Sequence, residues 1–294
     1  VSLKRVSFAK VNLFLYVTGK RNDGYHELYS LMAQIDLWDK VTLFFEGRGI
    51  RVTCDHPDVP GGETNLAYRA AGLFCNAYEK KKGKLPLDGV FIQIKKQIPV
   101  GGGLGGGSSN AATVLMALNE YCSNTFSQEE LMVLGLRLGA DVPFFIFGMP
   151  SLATGVGEIL EKYDDLPKFH LVLCDPGVSA STSDVFKNLK FRLTSQRNYN
   201  MNTGLNALVE GQGGDSREKL HNDLEVSACS LYPEIASVKE EMEFLLERNV
   251  YMSGSGSTLF ALFTGPEDAR KAYGLLAKKW SKGSKKIFLT SLKR

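Results

Sequence analysis

The chain has 294 residues, room for one large domain or two modest ones at roughly 150 residues each. With 44% hydrophobic and 23% charged residues it has the composition of a globular protein, which excludes a mainly disordered one. Its 35 Lys and Arg against 32 Asp and Glu leave a net charge of +3 without a long basic block, which gives no support for a nucleic-acid partner.

From the N-terminus, Val1–Lys10 lacks the apolar core of a secretory signal, and no apolar run approaches the roughly 20 residues that span a bilayer. No membrane partner and a cytoplasmic location are therefore expected. A strand is predicted over Phe8–Val17, with Val11, Leu13, Leu15 and Val17 on one face and Phe8, Lys10, Asn12 and Phe14 on the other. A turn at Arg21–Gly24 leads to Tyr25-His26-Glu27, and strand-like runs follow at Leu31–Leu37, Val41–Phe45 and Gly49–Cys54. Asn65–Lys80 has helical spacing, the tract Lys80–Lys84 reads as a solvated connection, and Val90–Ile98 alternates as a strand ending at Pro99.

The glycine-rich run Gly101–Gly107 comes next, then an apolar helix from Ala111 to Tyr121. Ser127 and Glu130 have the spacing of a capping box for a second helix, which ends near Gly139. Composition shifts over Gly148–Gly157, a domain boundary candidate. Beyond it, strands are predicted at Leu171–Cys174 and Leu259–Phe263, a helix over Leu224–Leu246 broken near Pro233, and an amphipathic helix over Ala269–Trp280. Phe191–Asp215, polar and Gly/Asn-rich, reads as a mobile connection. Strands and helices mix without a regular βαβ repeat, which favours an α+β fold. Cys54, Cys75, Cys122, Cys174 and Cys229 lie far apart with no C-x-x-C pair, the pattern of free thiols in a reducing compartment.

Six glycines in the seven positions 101–107, joining a strand to a helix, are the strongest chemical signal. Glycine lets a ligand approach the main chain, and a helix N-terminus offers unpaired N–H groups and a positive dipole end, so the loop reads as a phosphate site. Ser108 and Ser109 stand where an N-cap hydroxyl is wanted. No lysine follows the glycines as in a Walker A loop. Gly101, Gly103 and Gly106 fit the dinucleotide-binding spacing, but the acidic residues about twenty positions on, Glu129 and Glu130, fall in a helix's first turn. Lys10 reads as a solvated lysine, as most are, or as a functional one on a strand face beside Asn12, and Asp141, two residues before Pro143, as a helix cap or a catalytic carboxylate.

Three segments, Phe8-Ala9-Lys10-Val11-Asn12-Leu13, Pro99 through Ser109 and Ser253-Gly254-Ser255-Gly256-Ser257, resemble the three motifs of the GHMP small-molecule kinases. Further stretches sharpen the likeness: Gly24–Glu27, Gly139–Phe145, Gly155–Glu158 and Asn222–Glu225. They resemble the branch that acts on a cytidine diphosphate-linked methylerythritol in non-mevalonate isoprenoid precursor synthesis. The likeness runs from about Val6 to about Phe263, with Phe8 in place of a usual proline and little similarity over 191–215.

The resemblance implies a two-domain α+β GHMP kinase fold with the active site in the cleft between domains. Residues 1–152 would form an N-terminal domain with the ATP loop, and 153–294 a C-terminal domain contributing to substrate binding. Its expected cofactors are ATP and Mg2+, the latter with ligands unassigned, and its partner is a small-molecule substrate, on a monomer or weak homodimer. The matching residues imply Lys10 and Asp141 as the catalytic pair, with Asp141 accepting the hydroxyl proton. They imply ATP binding by Pro99, Val100, Gly101, Gly102, Gly103, Leu104, Gly105, Gly106, Gly107, Ser108 and Ser109, with Asn65 and Lys96 on the adenosine side. Tyr25 and Phe186 would stack on cytosine, His26 would read its edge, and Asn12 and Thr182 would make polar substrate contacts. Alternatives at this point are another GHMP kinase of homoserine or mevalonate type, a dinucleotide-dependent oxidoreductase using the same glycines, and a non-catalytic nucleotide-binding module.

Overall fold

A computed structural model describes residues 1–189 and 220–293, so the expected connection at 191–215 lies outside the described residues. The chain groups into two compact units, each built from non-consecutive segments. The first takes Val1–Ala9, Leu37–Val100 and Gly105–Met149; the second takes Lys10–Asp36, Gly101–Leu104 and Pro150 onward. Strands and helices are mixed, as an α+β reading requires.

Two 19-residue strands, β1 (Ser2–Lys20) and β2 (His26–Phe44), supply residues to both units. The spacing predicts two runs where β2 is one strand, because Asp39 does not interrupt it. The alternation Ile35, Leu37, Asp39, Val41, Leu43 continues through Asp39 on the buried face, where the carboxylate finds donors. In the first unit, β3 (Gly49–Cys54) runs parallel to β4 (Gly89–Lys95) across the helix α1 (Leu66–Lys82), and β4 pairs antiparallel with Lys40–Phe44 of β2. Ala67, Ala70, Ala71 and Phe74 form the buried stripe of α1, at the spacing of one helical face. Lys80–Lys82 are its last turn, where cations suit the dipole, not a connecting loop.

Three further helices complete this unit: α2 (Gly106–Tyr121), α3 (Gln128–Leu136) and α4 (Val142–Phe147). From Ser109 to Leu115 every residue of α2 is buried, as expected of a helix apolar on most sides. The Ser127–Glu130 capping box starts α3 with both reciprocal hydrogen bonds in place.

In the second unit, β5 (Ser151–Thr154) pairs with Ser30–Met32 of β2 and with β6 (Ile159–Lys162). A four-stranded antiparallel sheet follows, with β7 (His170–Asp175) between β10 (Lys286–Ser291) and β9 (Leu259–Phe263), and β8 (Tyr251–Met252) at the edge. The helices α5 (Thr182–Lys187), α6 (Glu225–Leu231), α7 (Pro233–Leu246) and α8 (Pro266–Lys279) belong to this unit, α6 and α7 being separated at Pro233 as the sequence indicates. Its core joins Val172, Leu259 and Ala261 of the sheet to Ile235, Met242 and Leu276 of the helices.

All five cysteines are free thiols. Burial pushes Cys174 up to about 12 and Cys75 up to about 11, so neither is a thiolate near neutral pH. Among the described residues no helix is long and apolar enough to cross a membrane.

Candidate active site

The glycine loop is divided between the two units: Gly101–Leu104 belongs to the second and Gly105–Ser109 to the first. Each half has its own surroundings.

In the first unit Gly105, in the left-handed conformation, occupies the N-cap of α2 without a side-chain cap. Ser108 and Ser109 therefore do not cap the helix as the sequence suggests; they lie in its first turn, where the Ser109 N–H bonds the Gly105 carbonyl at 2.8 Å. A helix of this length presents its leading amides and dipole to an anion. Beneath that turn is a buried polar cluster. The Asp39 carboxylate accepts from Lys96 Nζ at 2.5 Å, from the Gln97 and Ile98 amides at 2.8 and 2.9 Å, and from Asn110 Nδ2 at 3.0 Å. Asn110 also donates to Ser7 Oγ at 2.9 Å, and Ser7 donates to Ser109 Oγ at 2.7 Å. Lys96 thus forms a buried ion pair, its side chain 5% exposed against 0% for Asp39, beside the start of α2. Asn65 is the N-cap of α1: its Oδ1 accepts from Ala67 N at 2.8 Å and its Nδ2 donates to the Pro60 carbonyl at 2.6 Å.

Asp141 precedes α4 at the N-cap position, yet its side chain makes no capping hydrogen bond. Its backbone angles, φ −79° and ψ −14°, are helical rather than the extended pair that aims a cap at the second or third amide. Of the two readings the sequence leaves open, the cap is not realised.

In the second unit Lys10 is buried in β1, its backbone N–H donating to the Leu104 carbonyl at 3.0 Å. Its ammonium donates to Asn12 Oδ1 at 2.5 Å, and Asn12 Nδ2 donates to Ser30 Oγ at 2.8 Å, so the amide has one orientation. Residues i and i+2 share a strand face, which is why a lysine and an asparagine at this spacing meet. Ser253 of the Gly/Ser loop accepts from Asn12 N and donates to the Gly103 carbonyl, both at 3.2 Å. Gly103 (φ +74°) has no room for a side chain: a Cβ there would lie 2.3 Å from the Ser253 carbonyl oxygen. A Cβ on Gly254 (φ +57°) would sit 3.2 Å from Asn12 Oδ1 and 3.5 Å from Lys10 Nζ, so bare backbone packs over the lysine.

Also in this unit, His26 and Phe186 stack with centroids 5.1 Å apart and planes at 21°. Tyr25, next to His26 in sequence, is 62% exposed, and among the described residues its ring joins no stack. Burial, reinforced by the positive charge of Lys20, holds the His26 imidazole below its ordinary value, which favours the neutral ring. Thr182 and Ser255 share a hydrogen bond at 2.8 Å.

The structure thus gathers Lys10, Asn12, Gly101–Leu104 and the Gly/Ser loop in one unit, with Thr182 bonded to Ser255 of that loop and Tyr25, His26 and Phe186 elsewhere in the unit. Asp141, Asn65, Lys96, Pro99, Val100 and Gly105–Ser109 belong to the other. Sequence reasoning misses Asp39, Ser7 and Asn110, although the alternation of β2 marks Asp39 as a carboxylate on a buried face. It also misses the part played by Asn222 and Asp223. Among the described residues no group of three or more His, Cys, Asp or Glu is placed to hold a metal ion.

Residues 65–149 match the family described as the GHMP kinases N terminal domain, and residues 205–282 match the GHMP kinases C terminal family, so the class is that of the GHMP kinases. A 4-diphosphocytidyl-2-C-methyl-D-erythritol kinase of Syntrophotalea carbinolica is 44% identical over 266 residues, 90% of each chain. One from Citrifermentans bemidjiense is 42% identical over 284 residues, covering 94% of this chain and 95% of that one. The chain belongs to the 4-diphosphocytidyl-2-C-methyl-D-erythritol kinase family. A crystal structure of 4-(cytidine 5'-diphospho)-2C-methyl-D-erythritol kinase superposes with a TM-score of 0.80 at 38% identity, covering 99% of this chain and all of that one. A homoserine kinase from Cytophaga hutchinsonii, with a TM-score of 0.72 at 20% identity and coverage of 99% and 95%, shares the fold. Membership of this family decides against the dinucleotide-dependent oxidoreductase that the glycines alone left open.

Proposed function

We propose that the protein transfers the γ-phosphoryl group of ATP to the 2-hydroxyl of 4-diphosphocytidyl-2-C-methyl-D-erythritol, a step of non-mevalonate isoprenoid precursor synthesis. The family supports the reaction, and the buried Lys10 held by Asn12 beneath the Gly/Ser loop is the observation that carries the chemistry.

In this reading Asp141 accepts the proton of the acceptor hydroxyl as its oxygen bonds to the γ-phosphorus. The bond from that phosphorus to the β–γ bridging oxygen breaks, and ADP leaves. Lys10 offsets negative charge on the transferring group; in such reactions positioning and electrostatics supply most of the catalysis. That the Asp141 carboxylate does not cap α4 supports its catalytic assignment. The leading amides of α2 and the glycine loop would cradle the triphosphate. Mg2+ fits a site of this kind as a passenger of the nucleotide, since it commonly keeps waters and binds through substrate phosphates with few protein ligands. When bound, it neutralises phosphate charge.

The substrate's cytosine would lie against Tyr25 beside the His26–Phe186 stack, with the neutral His26 imidazole at its polar edge. Asn65 and Lys96 enter this reading through the parts they hold, the start of α1 and the base of the glycine loop. In sequence order, residues 1–152 would form the domain that carries the ATP loop, and 153–294 a domain contributing to substrate binding. A cytoplasmic location suits substrates of this kind. The experiment is product analysis after incubation with MgATP: phosphorus NMR should show one new monophosphate ester on the tertiary carbon, formed in equal amount with ADP. A phosphate on another oxygen, or ATP hydrolysis without an ester, would refute the assignment.

A further inference from the structure

The motif Asn222-Asp223 has no part in the reaction just described, yet it is tied to β1 a few residues past Lys10. The His221 carbonyl accepts from Leu15 N at 2.8 Å, the Leu15 carbonyl accepts from Asp223 N at 2.9 Å, and Leu15 and Asn222 form an isolated parallel bridge. Asp223 Oδ2 also accepts from Val17 N at 2.6 Å, while its Oδ1 bonds His221 Nε2 at 2.6 Å. The segment therefore has a fixed register against the strand that carries Lys10 and Asn12.

From that anchorage the Asn222 side chain grips the Gly/Ser loop. Its Nδ2 donates to the Met252 carbonyl at 2.9 Å and to the Gly254 carbonyl at 2.8 Å, on the residues either side of Ser253, and its Oδ1 accepts from Leu224 N at 3.0 Å. Both amide hydrogens and the oxygen are engaged. Ser253 and Gly254 are the residues that meet the catalytic end of β1: Ser253 Oγ takes the Asn12 N–H, and Gly254 packs against Asn12 Oδ1 and Lys10 Nζ.

We propose that Asn222 is a positioning residue for phosphoryl transfer, fixing the Ser253–Gly254 backbone against the Lys10–Asn12 pair and so setting where the ammonium stands. The inference rests on the reading of Lys10 as catalytic. Asparagine is required because the position must give two hydrogen bonds to carbonyls and receive one from an amide. Aspartate keeps the acceptor for Leu224 N but gives neither donor, and it sets a negative charge against two carbonyl oxygens. Asn222→Asp therefore leaves the start of α6 supported and releases the loop.

The test measures kcat, both KM values and the thermal midpoint for Asn222→Asp, Lys10→Met and the double variant. Asn222→Asp should lower kcat by about 10- to 100-fold, the scale of a displacement of about 1 Å at a reacting group, with each KM within about threefold. If the residue acts through Lys10, the double variant should turn over within about twofold of Lys10→Met alone. A double variant slowed by the product of the two single effects would make Asn222 a general structural residue and overturn the proposal, as would an unchanged kcat in Asn222→Asp. In either case a slow Lys10→Met leaves the catalytic reading of Lys10 standing, whereas a Lys10→Met enzyme at wild-type rate removes both. Should Asn222→Asp fail to fold, Asn222→Ala, which adds no charge, is measured in its place against the same outcomes.

Discussion

Lys10 Nζ donates to Asn12 Oδ1 at 2.5 Å, within a strand whose residues 11 to 17 are all buried. Neither partner has much freedom: the amide is oriented by Ser30 Oγ, itself bonded to the Phe14 carbonyl at 2.6 Å, and the lysine is covered by the Gly254 backbone. An ammonium held in one place before substrate arrives needs no reorganisation when charge develops on the phosphoryl group.

Asn12→Ala removes that restraint. The expected result is a kcat lower by about 10- to 100-fold with ATP affinity little changed, because the lysine keeps its charge and loses its orientation. Steady-state kinetics with ATP binding by calorimetry checks this. An unchanged kcat would mean that Asn12 does not orient the lysine.

Asp141→Asn tests the proposed base. The amide cannot take the hydroxyl proton, so kcat should fall by about 10²- to 10⁴-fold. No capping hydrogen bond is lost and asparagine keeps the size of the side chain, so ATP affinity should stay close to wild type. A residue that only capped α4 would keep turnover close to wild type, since asparagine caps a helix about as well as aspartate.

Asp39 supports the loop from below. Asp39→Ala strands the buried Lys96 ammonium and should destabilise the protein by about 3–5 kcal/mol, measured by urea unfolding. Joint replacement by Asp39→Leu and Lys96→Met removes both charges and should recover a large part of that loss. A double variant no better than Asp39→Ala would show that the hydrogen bonds to Gln97, Ile98 and Asn110, not the charge pair, dominate.

The proposed cytidine contacts at Tyr25 and His26 make two separate predictions. Tyr25 is exposed, so Tyr25→Ala should leave stability unchanged while weakening the cytidine substrate by about 5- to 150-fold, the value of one stacked ring, with ATP affinity unaltered. His26 is held below its ordinary 6.5, so the folded protein binds fewer protons there than the unfolded chain. Its contribution to stability is therefore complete above 6.5 and is lost as pH falls through the lower folded value. Unfolding midpoints of wild type and His26→Asn between about pH 5 and pH 8 should diverge only toward the acid end. Parallel curves would assign that acid sensitivity to other groups.

Local rules account well for the regular elements and for the glycine loop. Period-two alternation finds β1, β4 and β9, a short apolar run marks β7, Ser127 and Glu130 start α3, and Pro233 separates α6 from α7. What local reading misses is set by distant partners. Asp39 looks like a break in β2 until Lys96, Gln97 and Asn110, 57 to 71 positions away, supply its hydrogen bonds. Short β5 and β6 are stabilised by pairing along β2 and with each other, which their four residues do not announce. Lys10 and Asn12 are legible as a pair because i and i+2 share a face. The clamp from Asn222 to Gly254, 32 residues on, appears only when the chain is folded.

Substrate choice is measured most directly by ADP release, coupled to a spectrophotometric readout, with MgATP and a panel of acceptors: 4-diphosphocytidyl-2-C-methyl-D-erythritol, free methylerythritol, homoserine and mevalonate. Rapid, saturable turnover of the cytidine diphosphate-linked alcohol is expected, with little for the other three, because the cytidine handle would provide much of the binding. Turnover of free methylerythritol, homoserine or mevalonate as efficient as that of the cytidine substrate would contradict this expectation.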